Sequence, residues 1–212
     1  MELIHSDKYG IALDIAKKFT GAKEYRVILH FVQHTADGHL VATDTHKLIK
    51  IMNVHGFEEE RLINPRSYEM AKGIYPNVNG IIPTDTKDHI LLDKDQINVW
   101  YQAHKSMAQM LKNLKVRYSK ATRLSFNDDS FHFTAMLGKD AGINFELPYT
   151  EYVKPEQPST TYNIEYMRDA LEAHIKMGSE SVVLQFTGQM SPFLVTNEKD
   201  VLVLILPIRT PQ

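Results

Sequence analysis

One pattern, stated twice, constrains this chain more than any other feature. Beyond Pro83, residues 89–92 read as a short strand, and Asp93 with Gln96 makes a capping-box start for a helix. That helix runs to about Asn113, with Ile97, Trp100, Tyr101, Ala108, Leu111 and Leu114 as its apolar side. Asn98, Gln102, Lys105, Gln109 and Lys112 line another side. Residues 123–126 and 130–136 follow as a hairpin joined by Asn127-Asp128-Asp129, then a strand at 141–148. After a loop bracketed by Pro155 and Pro158 the order returns: a helix from Asn163 to Met177 stopped by Gly178, then strands at 181–185, 193–195 and 201–206. A repeated β-α-β-β unit with few connections long enough for parallel crossovers predicts an α+β fold built on antiparallel sheets.

The first 83 residues carry one such unit and a second that is cut short. Residues 2–5 read as a strand, and Ser6 or Asp7 caps a helix whose buried face is Ile11, Ala12, Ile15, Ala16 and Phe19, with Gly21 as its stop. Residues 25–33 and 39–52 read as strands joined by the turn Ala36-Asp37-Gly38, where Asp-Gly tolerates positive φ. Residues 55–63 are a further strand candidate, and Asn64-Pro65 opens a short helix ending near Gly73. Residues 75–83, with two prolines and Gly80, are the expected linker between domains 1–83 and 84–212.

Composition narrows the function. Hydrophobic residues make up 43% of the chain, so a core can form without crosslinks, and the absence of cysteine excludes disulfides and thiolate metal sites. No apolar run approaches the roughly 20 residues needed to span a bilayer, and the N-terminus lacks a basic region followed by an apolar stretch, so a cytoplasmic protein is expected. The net charge of −2, from 24 Lys+Arg against 26 Asp+Glu, argues against a general nucleic-acid binder unless the charge is segregated. Ten histidines invite a metal search, yet no HExxH string, GxxxxGK loop or GxSxG elbow is present. The chain reads as a scaffold with no cofactor and no catalytic residues.

Several segments carry a resemblance, and they fall in order. Asp37 to Leu48, including Val41-Ala42-Thr43-Asp44-Thr45-His46-Lys47-Leu48, resembles the "ATDGHRL" corner of the bacterial sliding clamp, the beta subunit of DNA polymerase III. The strand before it, Glu24-Tyr25-Arg26-Val27-Ile28-Leu29, resembles the family's in holding an Arg and a Leu three apart. Tyr75-Pro76-Asn77-Val78 through Ile81-Ile82-Pro83 resembles the junction between the clamp's middle and last domains. Tyr162-Asn163-Ile164-Glu165-Tyr166-Met167-Arg168-Asp169-Ala170-Leu171 resembles a helix of the last domain, and Ser191-Pro192-Phe193-Leu194 the strand pair after it. Leu204 to Arg209 resembles the closing "lPvR". Thr45 stands where the family has glycine, and Lys47 where it has arginine. The resemblance covers the middle and last domains only, the first of them shortened, and implies clamp-like domains with antiparallel sheets outside and helices on an inner face.

The resemblance also implies sites. The family pocket takes extended partner peptides. Here Leu29, Leu48, Ile81, Leu204, Leu206 and Ile208 would supply its walls, and Arg26, Thr43, His46 and Arg209 its hydrogen bonds. Thr45, Lys47, Ile205 and Pro207 lie within the same motifs, and Pro76, Asn163, Tyr166, Met190 and Pro192 match further lining positions. Each leucine alternates as an ordinary core strand residue would, so a plain core reading stands beside the pocket. Lys17, Lys105, Lys112, Arg168 and Lys176, on predicted helices, would meet phosphates without reading bases. Glu165 and Glu172 nearby fit a salt-bridged solvent face equally well. A denser basic stretch, Lys115, Arg117, Lys120 and Arg123, could face DNA or solvent. The implied partners are double-stranded DNA, a DNA polymerase and other proteins with clamp-binding peptides, a clamp loader, and further copies of the chain, with a trimer giving a six-domain ring. The alternative is a clamp-like peptide-binding regulator that does not encircle DNA.

Overall fold

Helix boundaries follow local chemistry. The computed structural model describes residues 4–22, 24–83, 88–115, 120–137, 141–188 and 190–208. Asp93 Oδ1 accepts from the Gln96 amide at 2.9 Å while Gln96 Oε1 accepts from the Asp93 amide at 3.0 Å, so helix α2 (Lys94–Asn113) starts on a complete capping box. Asn163 Oδ1 caps α3 (Ile164–Met177), and Gly178, at φ 80, ends it in the left-handed conformation that glycine adopts freely. Helix α1 (Tyr9–Ala16) begins without a side-chain cap at Lys8.

Fourteen strands complete the described fold. They are β1 (Val32–His34), β2 (Leu40–Thr43), β3 (Lys47–Ile51), β4 (Arg61–Ile63), β5 (Met70–Ala71), β6 (His89–Asp93), β7 (Ala121–Phe126), β8 (Phe131–Met136), β9 (Gly142–Phe145), β10 (Glu151–Val153), β11 (Ser159–Asn163), β12 (Ser181–Gln185), β13 (Phe193–Thr196) and β14 (Val201–Ile205). Ten of them form one sheet in the order β10-β6-β12-β13-β14-β3-β2-β1-β4-β5, and the order β11-β7-β8-β9 forms a second. Every pairing is antiparallel. The repeat explains the topology: β6, ahead of α2, leaves its own hairpin to pair with β12, and β11, ahead of α3, crosses to pair with β7.

The large sheet is continuous from the first half of the chain to the second through the β14–β3 ladder, where Val203 faces Ile49 and Leu204 faces Leu48. Strand side chains alternate between faces. Val201, Val203 and Ile205 therefore join the main core with Trp100, Tyr162, Leu171 and Phe193. Leu202, Leu204 and Leu206 point to the other face, into a separate cluster with Leu29, Val41, Leu48, Tyr75 and Val78. Among the described residues, no helix is long and apolar enough to cross a membrane.

Several expectations fail locally. Residues 4 and 5 form a bend, not a strand. Ile11 is 43% exposed, and Leu13 takes its place in the α1 core, because the helix is rotated from the assumed face. Residues 25–33 become a 3₁₀ segment, Glu24–His30, kinked at Arg26, before β1. Residues 39–52 are two strands, because Asp44 Oδ1 accepts from both the His46 and Lys47 amides at 2.9 Å and folds a tight turn. Only 61–63 of residues 55–63 are strand. Asn64 opens a turn, its Oδ1 accepting from the Arg66 amide, and Tyr68 at φ 61 ends any helical continuation, so β5 stands where a helix was expected. Leu114 is 56% exposed, while His104 and Met107 are buried on α2. Residues 154–158, bracketed by Pro155 and Pro158, are loop and bend, and strands β10 and β11, one on each side of them, lie outside the expected set.

Candidate functional site

The second apolar face of the large sheet is left partly uncovered. A cavity of about 380 Å³ opens over β14 and β3, lined by Arg26, Ile28, Leu29, Thr43, Thr45, Lys47, Leu48, Pro76, Asn77, Val78, Ile81, Leu204 and Leu206. Its floor is Leu48, Leu204 and Leu29, at 1%, 0% and 4% exposure, and Ile81 stands at its rim, 52% exposed. The segment 75–83 forms one wall: Tyr75 and Val78 are buried beneath it, and the Tyr75 hydroxyl oxygen accepts from the Thr43 amide at 3.1 Å. Burial pushes that phenol up to about 12, so it stays neutral.

A second hollow of about 440 Å³ adjoins the first, lined by Thr20, Gly21, Ala22, Arg26, Leu29, Asp44, Thr45 and His46. The two share Arg26, Leu29 and Thr45, which makes a groove that crosses the β2–β3 turn. Thr45 holds that turn at φ 79, a strained conformation for a β-branched residue.

Ten of the expected pocket residues thus line one cavity: Arg26, Leu29, Thr43, Thr45, Lys47, Leu48, Pro76, Ile81, Leu204 and Leu206. His46 lines the adjoining hollow, its ring stacked on Tyr166 at 6.4 Å between centroids. Other expected residues sit elsewhere. Ile205 is buried in the main core, on the opposite face of β14. Asn163 is spent as the α3 cap. Met190 is 53% exposed outside both hollows, and Pro192 accepts from Thr187 Oγ1. Pro207 is half-buried, and the Ile208 amide donates to Thr161 O at 2.7 Å along β11. Arg209 lies outside the described residues. The Thr43 hydroxyl is engaged inside the turn, donating to Lys47 O at 2.9 Å. The Lys47 ammonium is buried against Asp169. Ile28, Asn77 and Val78 join the lining beyond the expected set; Asn77-Val78 lies inside the junction motif beside Pro76, which was the signal for them.

The helices carry a different surface. Lys105 and Lys112 of α2 and Arg168 of α3 line a groove of about 910 Å³ with Lys18, Glu165 and Glu172. Glu172 binds Lys18 and, at 3.0 Å, Lys176; Glu165 binds Lys120 at 2.8 Å; Arg168 donates to Asp169 at 2.8 Å. Lys17 is exposed outside this groove, and its carbonyl accepts from Thr20 Oγ1 at 2.9 Å.

Three histidines are fully buried and satisfied. His34 donates from Nδ1 to Val32 O and accepts at Nε2 from the Tyr9 hydroxyl at 3.0 Å. His104 bonds Trp100 O and the Tyr162 hydroxyl, and His174 bonds Val195 O and Ser179 Oγ. Burial lowers each to about 4, so they are neutral packing groups. Among the described residues, no group of three or more His, Asp or Glu is placed to hold a metal.

No protein-family model matches the sequence, and no curated protein does. Solved structures do match the fold. The Bacillus subtilis DNA polymerase sliding clamp superposes with a TM-score of 0.77 at 19% identity, covering 98% of this chain and 64% of its own. The Streptococcus pneumoniae DNA polymerase III beta chain gives 0.77 at 20%, covering 95% and 63%. The Helicobacter pylori beta clamp, in a structure where it is bound to a DNA ligase peptide, gives 0.71 at 16%, covering 99% and 65%. This chain therefore spans under two-thirds of the length of each of these clamps. Nearly all of this chain has the α+β fold of the bacterial DNA polymerase III beta clamp.

Proposed function

We propose that this chain is a sliding-clamp-like processivity factor. It holds short extended peptides of a DNA polymerase and other replication proteins in the groove over β14 and β3, and copies of it together encircle duplex DNA. The observation that carries the reading is the cavity of about 380 Å³ with an apolar floor, assembled from segments that are 26–48, 76–81 and 204–206 in the sequence. An apolar core fold has no need to leave such a floor open, and a junction between chain segments is a usual place for a ligand. A Leu or Phe of the peptide entering it gains about 1.5–3 kcal/mol from burial. The Helicobacter pylori clamp holding a ligase peptide supports the class of ligand. In this reading the chain acts by tethering rather than by catalysis.

The test replaces Leu206, half-buried at the cavity wall, with aspartate. Titrating a fluorescent clamp-binding peptide should show binding to the wild type and none to Leu206→Asp, with both proteins melting alike. Unchanged affinity removes the pocket assignment.

One observation favours the second reading, a peptide-binding regulator that does not encircle DNA. On the helical face Glu172 sits between Lys18 and Lys176, and Glu165 takes Lys120, so the basic groove is partly neutralised from within. Retention on circular but not linearised DNA separates the two readings.

A further inference from the structure

Aromatic rings from three separate parts of the chain meet beside β1: His5 and Tyr9 at the start of α1, His34 at the end of β1, and His55 with Phe57 in the loop before β4. The His5 ring stacks on Tyr9 at 4.3 Å between centroids and stands edge-on to Phe57 at 4.8 Å. His34 lies 5.0 Å from His55, 5.5 Å from Phe57 and 5.8 Å from Tyr9. We propose that this cluster is an acid-released clasp: neutral imidazoles hold residues 4–9 on the 53–57 loop, and proton uptake frees them while the rest of the fold stays closed.

The hydrogen bonds specify neutral rings. A neutral imidazole offers one acceptor nitrogen, and a charged one offers none. His55 Nδ1 accepts from the Phe57 amide at 3.2 Å while its Nε2 donates to His39 O at 3.0 Å. His5 Nδ1 accepts from the Gly56 amide at 3.3 Å, which ties it to the loop. A proton on either Nδ1 sets a donor against a donor. His34 is fully buried beneath the other rings, so it meets water only when they part. Burial and the neighbouring His55 hold it at about 4, and burial lowers His55 and His39 too. In the open form these rings return toward 6.5, so that form binds more protons, and acidification from 6.5 toward 4 favours opening.

The charges around the cluster leave that penalty in place. Tyr9 stays neutral, since burial raises its phenol. Arg61 of β4 sets its guanidinium 5.1 Å from the Phe57 ring centroid, and Lys50 of β3 opposes a proton on His39. Asp37 favours charged His39 and His55, yet it is engaged by Thr35 Oγ1 and, at 3.2 Å, by His39 Nε2. The backbone of Val32 and Arg61 favours charged His34 by less than burial opposes it. Glu60 accepts from Gln33 Nε2 at 3.2 Å, Asp7 from Ser6 Oγ at 3.3 Å, and Glu58 and Glu59 are exposed.

Residues 4–9 are otherwise held by the Ser6 amide on Val54 O at 3.2 Å and Lys8 Nζ on Met177 O at 2.6 Å, and Ile4 is 68% exposed. A surface segment secured by few contacts opens locally, without global unfolding. None of the five rings lines either hollow or the helical groove, so the clasp is independent of the function proposed above.

Hydrogen exchange read residue by residue by NMR, corrected for the intrinsic pH dependence of exchange, tests the clasp. From about pH 7 to about pH 5, protection of the Ser6, Gly56 and Phe57 amides should fall about tenfold more than that of α2. His34→Gln and His55→Gln should each shrink this difference, because glutamine keeps a donor and an acceptor but takes no proton. Gly56→Ala, whose Cβ would meet Ile4 O at 2.3 Å, should show the acid pattern at neutral pH. Equal loss of protection in the clasp and in α2 would mean whole-chain unfolding and overturn the proposal. A difference kept in full by both glutamine variants would overturn it too. The wild-type comparison decides even where a variant does not fold.

Discussion

Lys47 and Asp169 form a buried ion pair, Nζ to Oδ2 at 2.5 Å, with side-chain exposures of 5% and 6%. It ties the β2–β3 hairpin, which frames the groove, to helix α3. The ammonium also lies 4.7 Å from the Phe19 ring centroid and 5.1 Å from that of Tyr166, and the second Asp169 oxygen accepts from Arg168 Nη2 at 2.8 Å.

Removing one partner of a buried pair leaves a charge without compensation. Asp169→Asn should cost about 3–5 kcal/mol, because it strands the Lys47 charge. Lys47→Met should cost less, since Asp169 keeps Arg168. Urea midpoints at unchanged m-value measure both, and equal losses would mean that Arg168 offers Asp169 no compensation.

Thr45 should be the site of a stabilising substitution. Its φ of 79 carries strain of about 1–3 kcal/mol for a β-branched residue. Thr45→Gly removes that strain and adds the entropy cost of glycine, about 0.5–1 kcal/mol. A net gain of about 1 kcal/mol, read as a higher Tm, is expected, whereas Thr45→Val should give none.

Stability should fall with acidification through the histidines. His34, His104 and His174 are held at about 4 in the folded chain against 6.5 when free. Between these values the unfolded chain binds more protons, so their contribution is fully present above 6.5 and declines as pH drops toward 4. Each adds a slope of about 1.4 kcal/mol per pH unit in that window. Denaturation midpoints from about pH 7 down to about 4.5 check the sign, and His104→Gln should flatten the profile.

If the helical groove meets phosphates, its basic residues set the salt dependence of DNA binding. Lys105→Ala with Lys112→Ala should reduce the slope of log K against log salt by about 0.9 for each phosphate no longer neutralised. Equal slopes in wild type and variant would place DNA elsewhere.

The helices α2 and α3 and their stops were legible because capping and glycine chemistry act over three or four neighbouring residues: Asp93 with Gln96, Asn163 with Glu165, Gly178 after Met177. The terminal strands were legible from apolar runs. The groove was partly legible, because Arg26, Thr45, Pro76 and Leu206 fall in motifs that keep their order along the chain. Local propensity misled where distant packing decides. Residues 25–33 are rich in strand-forming side chains, yet much of the segment folds as a 3₁₀ turn because Ile28 and Leu29 pack into the second apolar cluster.

Sequence alone determined the α+β class, the repeated unit and the helix ends, since each rests on spacing along the chain, while the candidate groove residues came from the resemblance of motifs that keep their order. Only the tertiary structure decided which face of β14 each leucine occupies, that Lys47 is buried against Asp169, and which strands end the sheet. Those depend on which segments, 122 residues apart in the case of Lys47 and Asp169, come to share one interior, and local spacing carries no record of that.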